Sequence, residues 1–215
     1  LLLTKRTRFA VQKESFSTPK GLLLKRVGKT YKSALNNCTT RSTYIQAMEM
    51  NEQTQLAWNI IETTNTNLFL TGKAGTGKTT FLRRLKTESS KRIIVVAPTG
   101  IAAINAEGTT IHSFFQLSFA PFIPDAQYKT KEQQYRFSKQ KIRVIQSIDT
   151  LVIDEISMVR ADLLDAVDAV LRRFRKNQLP FGGVQMVMIG DLGQLAPVAK
   201  DDEWQLLSRY YATPY

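Results

Sequence analysis

The stretch Gly72-Lys73-Ala74-Gly75-Thr76-Gly77-Lys78-Thr79 fits the phosphate-binding loop pattern of a glycine, four residues and then Gly-Lys-Thr. Residues 68–71 before it predict a short buried strand, and residues 80–85 after it predict the first turns of a helix. A strand, a glycine-rich turn and a helix N-terminus aim backbone N–H groups at one point, where the helix dipole also favours an anion. A glycine-rich turn without a ligand is the alternative, and the matching flanks weigh against it.

This loop predicts ATP and Mg²⁺ as ligands. Lys78 is placed to reach the β- and γ-phosphates, where it also serves catalysis, and the hydroxyl of Thr79 is placed to hold Mg²⁺. The other predicted nucleotide-binding positions of the loop are Gly72, Ala74, Gly75, Thr76, Gly77 and Thr80.

Composition is ordinary for a globular protein, with 43% hydrophobic and 22% charged residues among 215. The single cysteine, Cys38, excludes an internal disulfide, and no apolar run approaches the ~20 residues of a membrane-spanning helix. We therefore expect no membrane partner. The expected location is the cytoplasm of a bacterium, or the nucleus or mitochondrion of a eukaryote.

The net charge of +12 is concentrated at the start of the chain. Residues 1–47 carry ten Lys/Arg and one acid (Glu14), a net of +9, which leaves +3 for the rest. This basic segment is predicted to lack stable structure, and residues 48–215 are predicted to form the ATPase domain. A transit peptide and a basic arm that touches nucleic acid remain open for the segment. We favour a third interpretation, upstream sequence with initiation at Met48 or Met50, because the composition changes there.

Strand and helix signals alternate after residue 51. The apolar runs 92–97, 150–154 and 184–189 predict strands buried on both faces, and the stripe from Leu163 to Phe174 predicts a helix. Residues 116–147 carry weaker signals and predict a polar connection with one short helix. The pattern predicts an α/β fold, a mostly parallel sheet with helices on both faces and ligands at the carboxyl ends of its strands.

Two adjacent acids, Asp154 and Glu155, follow one of these strands. Asp154 is predicted to bind Mg²⁺ opposite Thr79, and Glu155 to orient and polarise the water that attacks the γ-phosphate. A solvated strand end is the alternative. Gln194, in the turn after the last strand, suits contact with both a γ-phosphate oxygen and the attacking water; an ordinary turn glutamine is the alternative there.

Four segments in this order resemble the superfamily-one DNA helicases of the PIF and RecD type. They are Gly72–Thr79, Ala97–Ala103 with Gly108–Phe114, Asp154–Met158 and Gly190–Val198. The second is the most specific, because a phosphate loop alone indicates only an NTPase. The resemblance covers the chain from about Asn51 and implies a RecA-like P-loop NTPase domain, the first of two such lobes.

The resemblance implies single-stranded DNA as a partner and ATP-driven unwinding from 5′ to 3′. Gln194 would sense the γ-phosphate, and Gln55, with Gln53 as the competing choice, would read adenine. Phe114 or Phe115 is predicted to stack on a base or, alternatively, to pack in the core. The positions implied along the DNA backbone are Thr99, Gly100, Thr110, His112 and Ser113. For His112, a buried structural histidine is the alternative.

Two departures from the family pattern affect these expectations. Ala196 replaces the first of two prolines that usually follow the Gln-Leu pair, which is expected to loosen the turn. The chain also stops at Tyr215, before the second lobe that would supply an arginine to the ATP site. We therefore expect a fragment that binds Mg·ATP but hydrolyses it slowly and does not unwind DNA. Alternative functions are another P-loop ATPase, such as a helicase loader or remodelling ATPase, and a non-catalytic nucleotide-binding module.

Overall fold

A computed structural model of the chain describes residues 52–73, 75–123 and 137–213. From Ala57 onward the described residues belong to one compact unit. Glu52–Leu56 belong to a second unit, whose other residues lie outside the described ranges. The predicted unstructured segment 1–47 lies outside the described residues. The predicted division at residue 48 stays a prediction.

The described helices and strands alternate along the chain as the sequence predicts. The strands are β1 (Leu68–Thr71), β2 (Ile93–Ala97), β3 (Thr109–Thr110), β4 (Thr150–Ile153) and β5 (Gln185–Gly190). The helices are α1 (Glu52–Thr63), α2 (Lys78–Glu88), α3 (Gly100–Asn105), α4 (Ile111–Phe115), α5 (Lys139–Ser147), α6 (Ala161–Arg175) and α7 (Asp201–Leu207), with 3₁₀ turns at Ile156–Met158 and Pro180–Gly183. Helix α2 starts two residues earlier than the helix predicted to follow the loop.

All the strand pairings in the described sheet are parallel, in the order β1-β5-β4-β2-β3. Thr71 pairs with Gly190 at the carboxyl ends of β1 and β5, and Val96 pairs with Ile153 near those of β2 and β4. The segments that follow β1, β5 and β4 therefore emerge side by side. This adjacency fixes where a ligand of the sheet binds.

Helices cover both faces of the sheet, because successive strand residues point to opposite sides. In β4, Leu151 and Ile153 pack with α4, α5 and α6 in one hydrophobic core, whereas Val152 packs with α1 and α2 in the other. All three side chains are fully buried. An apolar run without polar alternation is the sequence signature of this two-sided burial, so the predicted fold class is confirmed.

Polar side-chain contacts join the starts of two strands and also fix the segment after α7 to α6. Arg92 makes two hydrogen bonds to the Asp149 carboxylate, at 2.8 and 2.7 Å, and joins the starts of β2 and β4. Tyr211 donates to Asp165 of α6 at 2.7 Å, which holds the segment after α7 against α6. Among the described residues, no helix is long and apolar enough to cross a bilayer.

Candidate nucleotide and nucleic-acid site

The phosphate loop connects β1 to α2 through residues whose backbone only glycine adopts readily. Gly75 and Gly77 have φ of 80° and 87°, and Gly77 precedes the first residue of α2. A Cβ on Gly72 would lie 2.7 Å from the hydroxyl oxygen of Thr76. That hydroxyl donates to the Lys73 carbonyl at 2.9 Å, which tightens the loop. Ala74 lies outside the described residues.

The ammonium of Lys78 lies inside the curve of this loop. It donates to the carbonyl oxygens of Gly72, at 2.5 Å, and Lys73, at 3.0 Å. Thr79 and Thr80 follow it in the first turn of α2 and are both exposed. The N-terminus of α2 thus presents one cation, two hydroxyls and a positive helix end at the edge of the sheet, a combination that suits phosphate.

Asp154 and Glu155 follow β4 in a tight turn. The Asp154 N–H donates to the Val96 carbonyl at 2.9 Å, and Glu155 has a left-handed backbone with φ of 52° before the first 3₁₀ turn. Burial raises the pKa of Asp154, and the charge of Glu155 also raises it, while the Glu155 N–H and the positive charge of Lys78 lower it. Lys78 follows β1 and Asp154 follows β4, the strands on either side of β5, so both charges lie at the same edge of the sheet.

The turn after β5 lies between these two segments in the sheet. Asp191 accepts hydrogen bonds from the Gly193 N–H at 3.0 Å and from the Gln194 side-chain amide at 3.4 Å. Gln194 is exposed and its side chain is only loosely held, so it is free to reach a ligand at the carboxyl ends of β1 and β4. The structure therefore brings Lys78, Asp154 and the Gln194 turn to one edge.

The predicted DNA-contacting hydroxyls have a structural role in the described fold. The Thr99 oxygen accepts from the Ala102 N–H at 3.2 Å and begins α3, and the Thr110 oxygen accepts from the Ser113 N–H at 3.1 Å and begins α4. Both hydroxyls can still donate their own hydrogen outward. Gly100 and Ser113 are exposed at the starts of these helices.

Phe114 is placed differently from its predicted stacking role. Only 6% of its surface is exposed and Phe115 is fully buried, with their rings edge to face at 4.8 Å. The ammonium of Lys141 lies 3.4 Å from the Phe114 ring centroid, on its remaining side. Phe114 and Phe115 are core residues, which agrees with the core-packing alternative given for them from the sequence. Phe114 offers no open ring face to a base.

His112 is half-buried on the outer side of α4 and stacks on Phe119, with ring centroids 4.6 Å apart and planes at 22°. Burial lowers the pKa of His112, the positive charge of Arg160 lowers it further, and Asp162 opposes both. Both effects favour the neutral form of the imidazole. Sequence reasoning missed Phe119 because it lies in the segment after α4 that has no periodic pattern.

Gln55 lies in α1, and its predicted contact with adenine stays a prediction. Among the described residues no group of three or more His, Cys, Asp or Glu could form a metal centre of its own. The single carboxylate of Asp154 with the hydroxyl of Thr79 is instead typical of Mg²⁺ sites in which substrate phosphates supply further ligands.

The parallel sheet and the phosphate loop define a RecA-like P-loop domain. The PIF1-like helicase family model matches residues 48–208, and the chain belongs to this family. It is 43% identical over 140 residues to the ATP-dependent DNA helicase PIF1 of Saccharomyces cerevisiae, an alignment that covers 63% of this chain and 16% of that protein.

Solved structures of Pif1 from Bacteroides resemble the fold over most of its length. The complex with ADP-AlF4 has a TM-score of 0.72 and 48% identity, and covers 77% of this chain and 37% of that one. The complex with single-stranded DNA has a TM-score of 0.70 at the same identity and coverage. The chain therefore spans well under half the length of these relatives.

Proposed function

We propose that this chain is the ATP-binding lobe of a DNA helicase that couples ATP hydrolysis to movement along single-stranded DNA. The observation that carries the proposal is the parallel strand order β1-β5-β4, which brings the phosphate loop after β1 and the Asp154–Glu155 turn after β4 to the same edge of the sheet, on either side of β5. This order sets the Lys78 ammonium and the Asp154 carboxylate at one edge, where bound Mg·ATP would need a cation for its phosphates and a carboxylate for its metal. The structures of relatives with a nucleotide analogue and with single-stranded DNA support both ligands.

In this proposal, ATP places its phosphates at the N-terminus of α2. Lys78 exchanges its carbonyl partners Gly72 and Lys73 for phosphate oxygens, which gain more from the positive charge. Asp154 and Thr79 would hold Mg²⁺, which neutralises phosphate charge when it is bound. The raised pKa of Asp154 fits this role, because a buried carboxylate gains stability from a nearby cation.

Glu155 accepts a proton from the attacking water in the hydrolysis step. It directly follows Asp154, so the two carboxylates emerge from β4 on successive residues with different tasks. Gln194 on the adjacent turn contacts the γ-phosphate or the attacking water. Release of the γ-phosphate therefore changes the contacts of Gln194 and of the segments next to it. We propose that a second lobe of the intact protein supplies an arginine to the same phosphates, which is worth about 10³–10⁵ in rate in related enzymes.

Movement of single-stranded DNA from 5′ to 3′ is proposed from the family resemblance. The DNA would pass the starts of α3 and α4, where Thr99, Gly100, Thr110 and Ser113 lie. Hydroxyls and N–H groups at these positions suit phosphate contacts without sequence preference.

The test is ATP hydrolysis by the intact protein with and without oligo(dT), beside the Lys78→Ala variant. We expect stimulation by the oligonucleotide, and loss of both hydrolysis and nucleotide binding in Lys78→Ala. Hydrolysis indifferent to DNA would favour a loader or remodelling ATPase. Nucleotide binding without hydrolysis, even with DNA, would favour a non-catalytic module.

A further inference from the structure

Phe119 is an exposed aromatic residue beside the predicted DNA-contacting segment. It leaves 81% of its surface open, whereas Phe114 and Phe115 just before it are buried in the core. Aromatic rings of this size are usually buried at least in part, so the Phe119 ring is unusually accessible to a ligand. Its chain neighbours Ser118 and Ala120 are small and also exposed, so the ring projects alone.

The ring of Phe119 is supported on one side only. The His112 imidazole lies 4.6 Å away, centroid to centroid, at an interplanar angle of 22°, which is a stacked arrangement. The exposed fraction of Phe119 leaves the opposite ring face open. A flat ligand could therefore extend the stack by one layer.

The segment that carries Phe119 is anchored at both ends. Before it, the Leu117 N–H donates to the His112 carbonyl at 3.0 Å, and Leu117 itself packs into the core. After it, the Phe122 N–H donates to the carboxylate of buried Asp162 at 3.0 Å. The backbone on both sides of Phe119 is thus held in place, which lowers the entropic cost of stacking a ligand on its ring.

The surroundings favour a nucleobase over an apolar protein partner. Ser113 and Gln116 nearby in the chain are exposed and polar, so Phe119 is a single ring and not part of a broad apolar patch on this segment. A base offers a flat π-face, and its phosphate can take hydrogen bonds from hydroxyls. Stacking on an aromatic ring tolerates any base, as movement along DNA requires.

We propose that Phe119, backed by His112, is a stacking platform for one base of single-stranded nucleic acid. This inference rests on the proposed function and assigns the stacking role to a residue outside the family-like motif. Phe119 contacts the base, and His112 acts as a positioning residue behind it.

The test compares the affinity of the intact protein for oligo(dT) and for an abasic oligonucleotide of the same length. Phe119→Ala should weaken oligo(dT) binding about 5- to 150-fold, the range for loss of one base stack, and leave abasic binding within about twofold. Leu179→Ala removes an apolar side chain that is 60% exposed after α6, and should change neither affinity.

Two further variants separate stacking from a general structural effect. Phe119→Trp should show fluorescence quenching with oligo(dT) and none with the abasic strand. His112→Phe should keep oligo(dT) affinity, whereas His112→Ala should lose part of it. An equal loss for both oligonucleotides in Phe119→Ala, or no loss, would overturn the inference while leaving the proposed function standing. Failure of the intact protein to bind either strand would remove the proposed function and this inference together.

Discussion

At the scale of single residues, a substitution at Glu155 can remove the negative charge of the side chain while keeping its size. Glu155→Gln keeps the length of the side chain but cannot accept a proton from the attacking water. Hydrolysis by the intact protein should fall about 10²- to 10⁴-fold, with nucleotide affinity retained. Phosphate release and titration with a fluorescent ATP analogue measure the two quantities. The control Glu107→Gln alters an exposed acid beyond α3, and an unchanged rate in Glu155→Gln would exclude Glu155 as the base.

Gly190 shows how one missing side chain positions the catalytic turn. A Cβ at Gly190 would lie 2.9 Å from Ile156 Cγ2, 3.1 Å from the Ile156 nitrogen and 3.3 Å from the Ser157 nitrogen. Because two of these atoms are backbone, Gly190→Ala must push the turn that follows Glu155 away from β5. We expect a loss of about 1–3 kcal/mol in unfolding free energy, measured with urea, and reduced hydrolysis.

Gly100→Ala is the matched control for this substitution. A Cβ at Gly100 meets nothing within 4 Å, and alanine is the better helix former at the start of α3. Its unfolding free energy should be unchanged or slightly higher. Equal stabilities of the two alanine variants would contradict the steric role of Gly190.

Residue positions were predictable where local sequence alone determines them. Lys78 and Asp154 belong to short motifs whose spacing fixes which strand end carries them. Phe114 and Phe119 could not be distinguished in this way, because both are aromatic residues in or near one motif. Only the packing of α4 against the sheet shows that Phe114 faces inward and Phe119 outward.

At the scale of elements, Thr110 determines how α4 begins. Thr110→Ala removes the oxygen that accepts from the Ser113 N–H, whereas Thr110→Ser keeps it. We expect the alanine variant to lose about 0.5–2 kcal/mol of unfolding free energy and the serine variant to lose little. Urea unfolding at neutral pH measures both. If the alanine variant is as stable as the serine variant, the cap contributes nothing.

The pair between Asp149 and Arg92 links the starts of β4 and β2 and makes stability depend on pH. Hydrogen bonds from the Arg92 side chain lower the pKa of Asp149 to about 2. An unfolded aspartate titrates near about 3.9, so the stabilisation is complete above about pH 4 and is lost as pH falls through about 2.

Asp149→Asn tests this assignment through the pH dependence of its effect. Since Arg92 is largely exposed, we expect a loss of only about 0.5–1 kcal/mol at pH 7. Urea unfolding of both proteins from pH 7 down to pH 2 should show the difference shrinking below about pH 4. A difference that stays constant over this range would show that the charge of Asp149 is not its cause.

Helices and strands were predictable from the sequence where a single hydrophobic pattern ran through the whole element. The apolar runs of β2, β4 and β5 predict strands buried on two faces, and the structure confirms them. Strand β3 is two residues long, Thr109–Thr110, too short for any periodicity to be visible. The order β1-β5-β4-β2-β3 depends on long-range pairing, which local propensity does not encode.

At the scale of the whole domain, Arg160 connects three parts of the chain. It donates to the Asp162 carboxylate at 2.9 and 2.8 Å and to Glu203 of α7 at 2.6 Å. Asp162 is 3% exposed and also accepts from the Phe122 N–H, which anchors the segment carrying Phe119. One guanidinium therefore joins the segment after Glu155, the last described helix and the loop beside His112.

Arg160→Met keeps the aliphatic bulk and removes the charge, which leaves the buried Asp162 carboxylate without its counter-ion. Breaking a buried pair in this way typically costs about 3–5 kcal/mol, so we expect a loss of that order in urea unfolding. Helix α7 should also exchange its amide hydrogens faster, because Glu203 loses its partner. Adding Asp162→Asn should recover part of the loss, since asparagine carries no charge and can still accept from Phe122. The control Arg83→Met breaks an exposed pair with Glu107 at 3.9 Å and should change stability by less than about 1 kcal/mol. An equally small effect of Arg160→Met, with α7 exchange unchanged, would show that packing alone holds these three segments together.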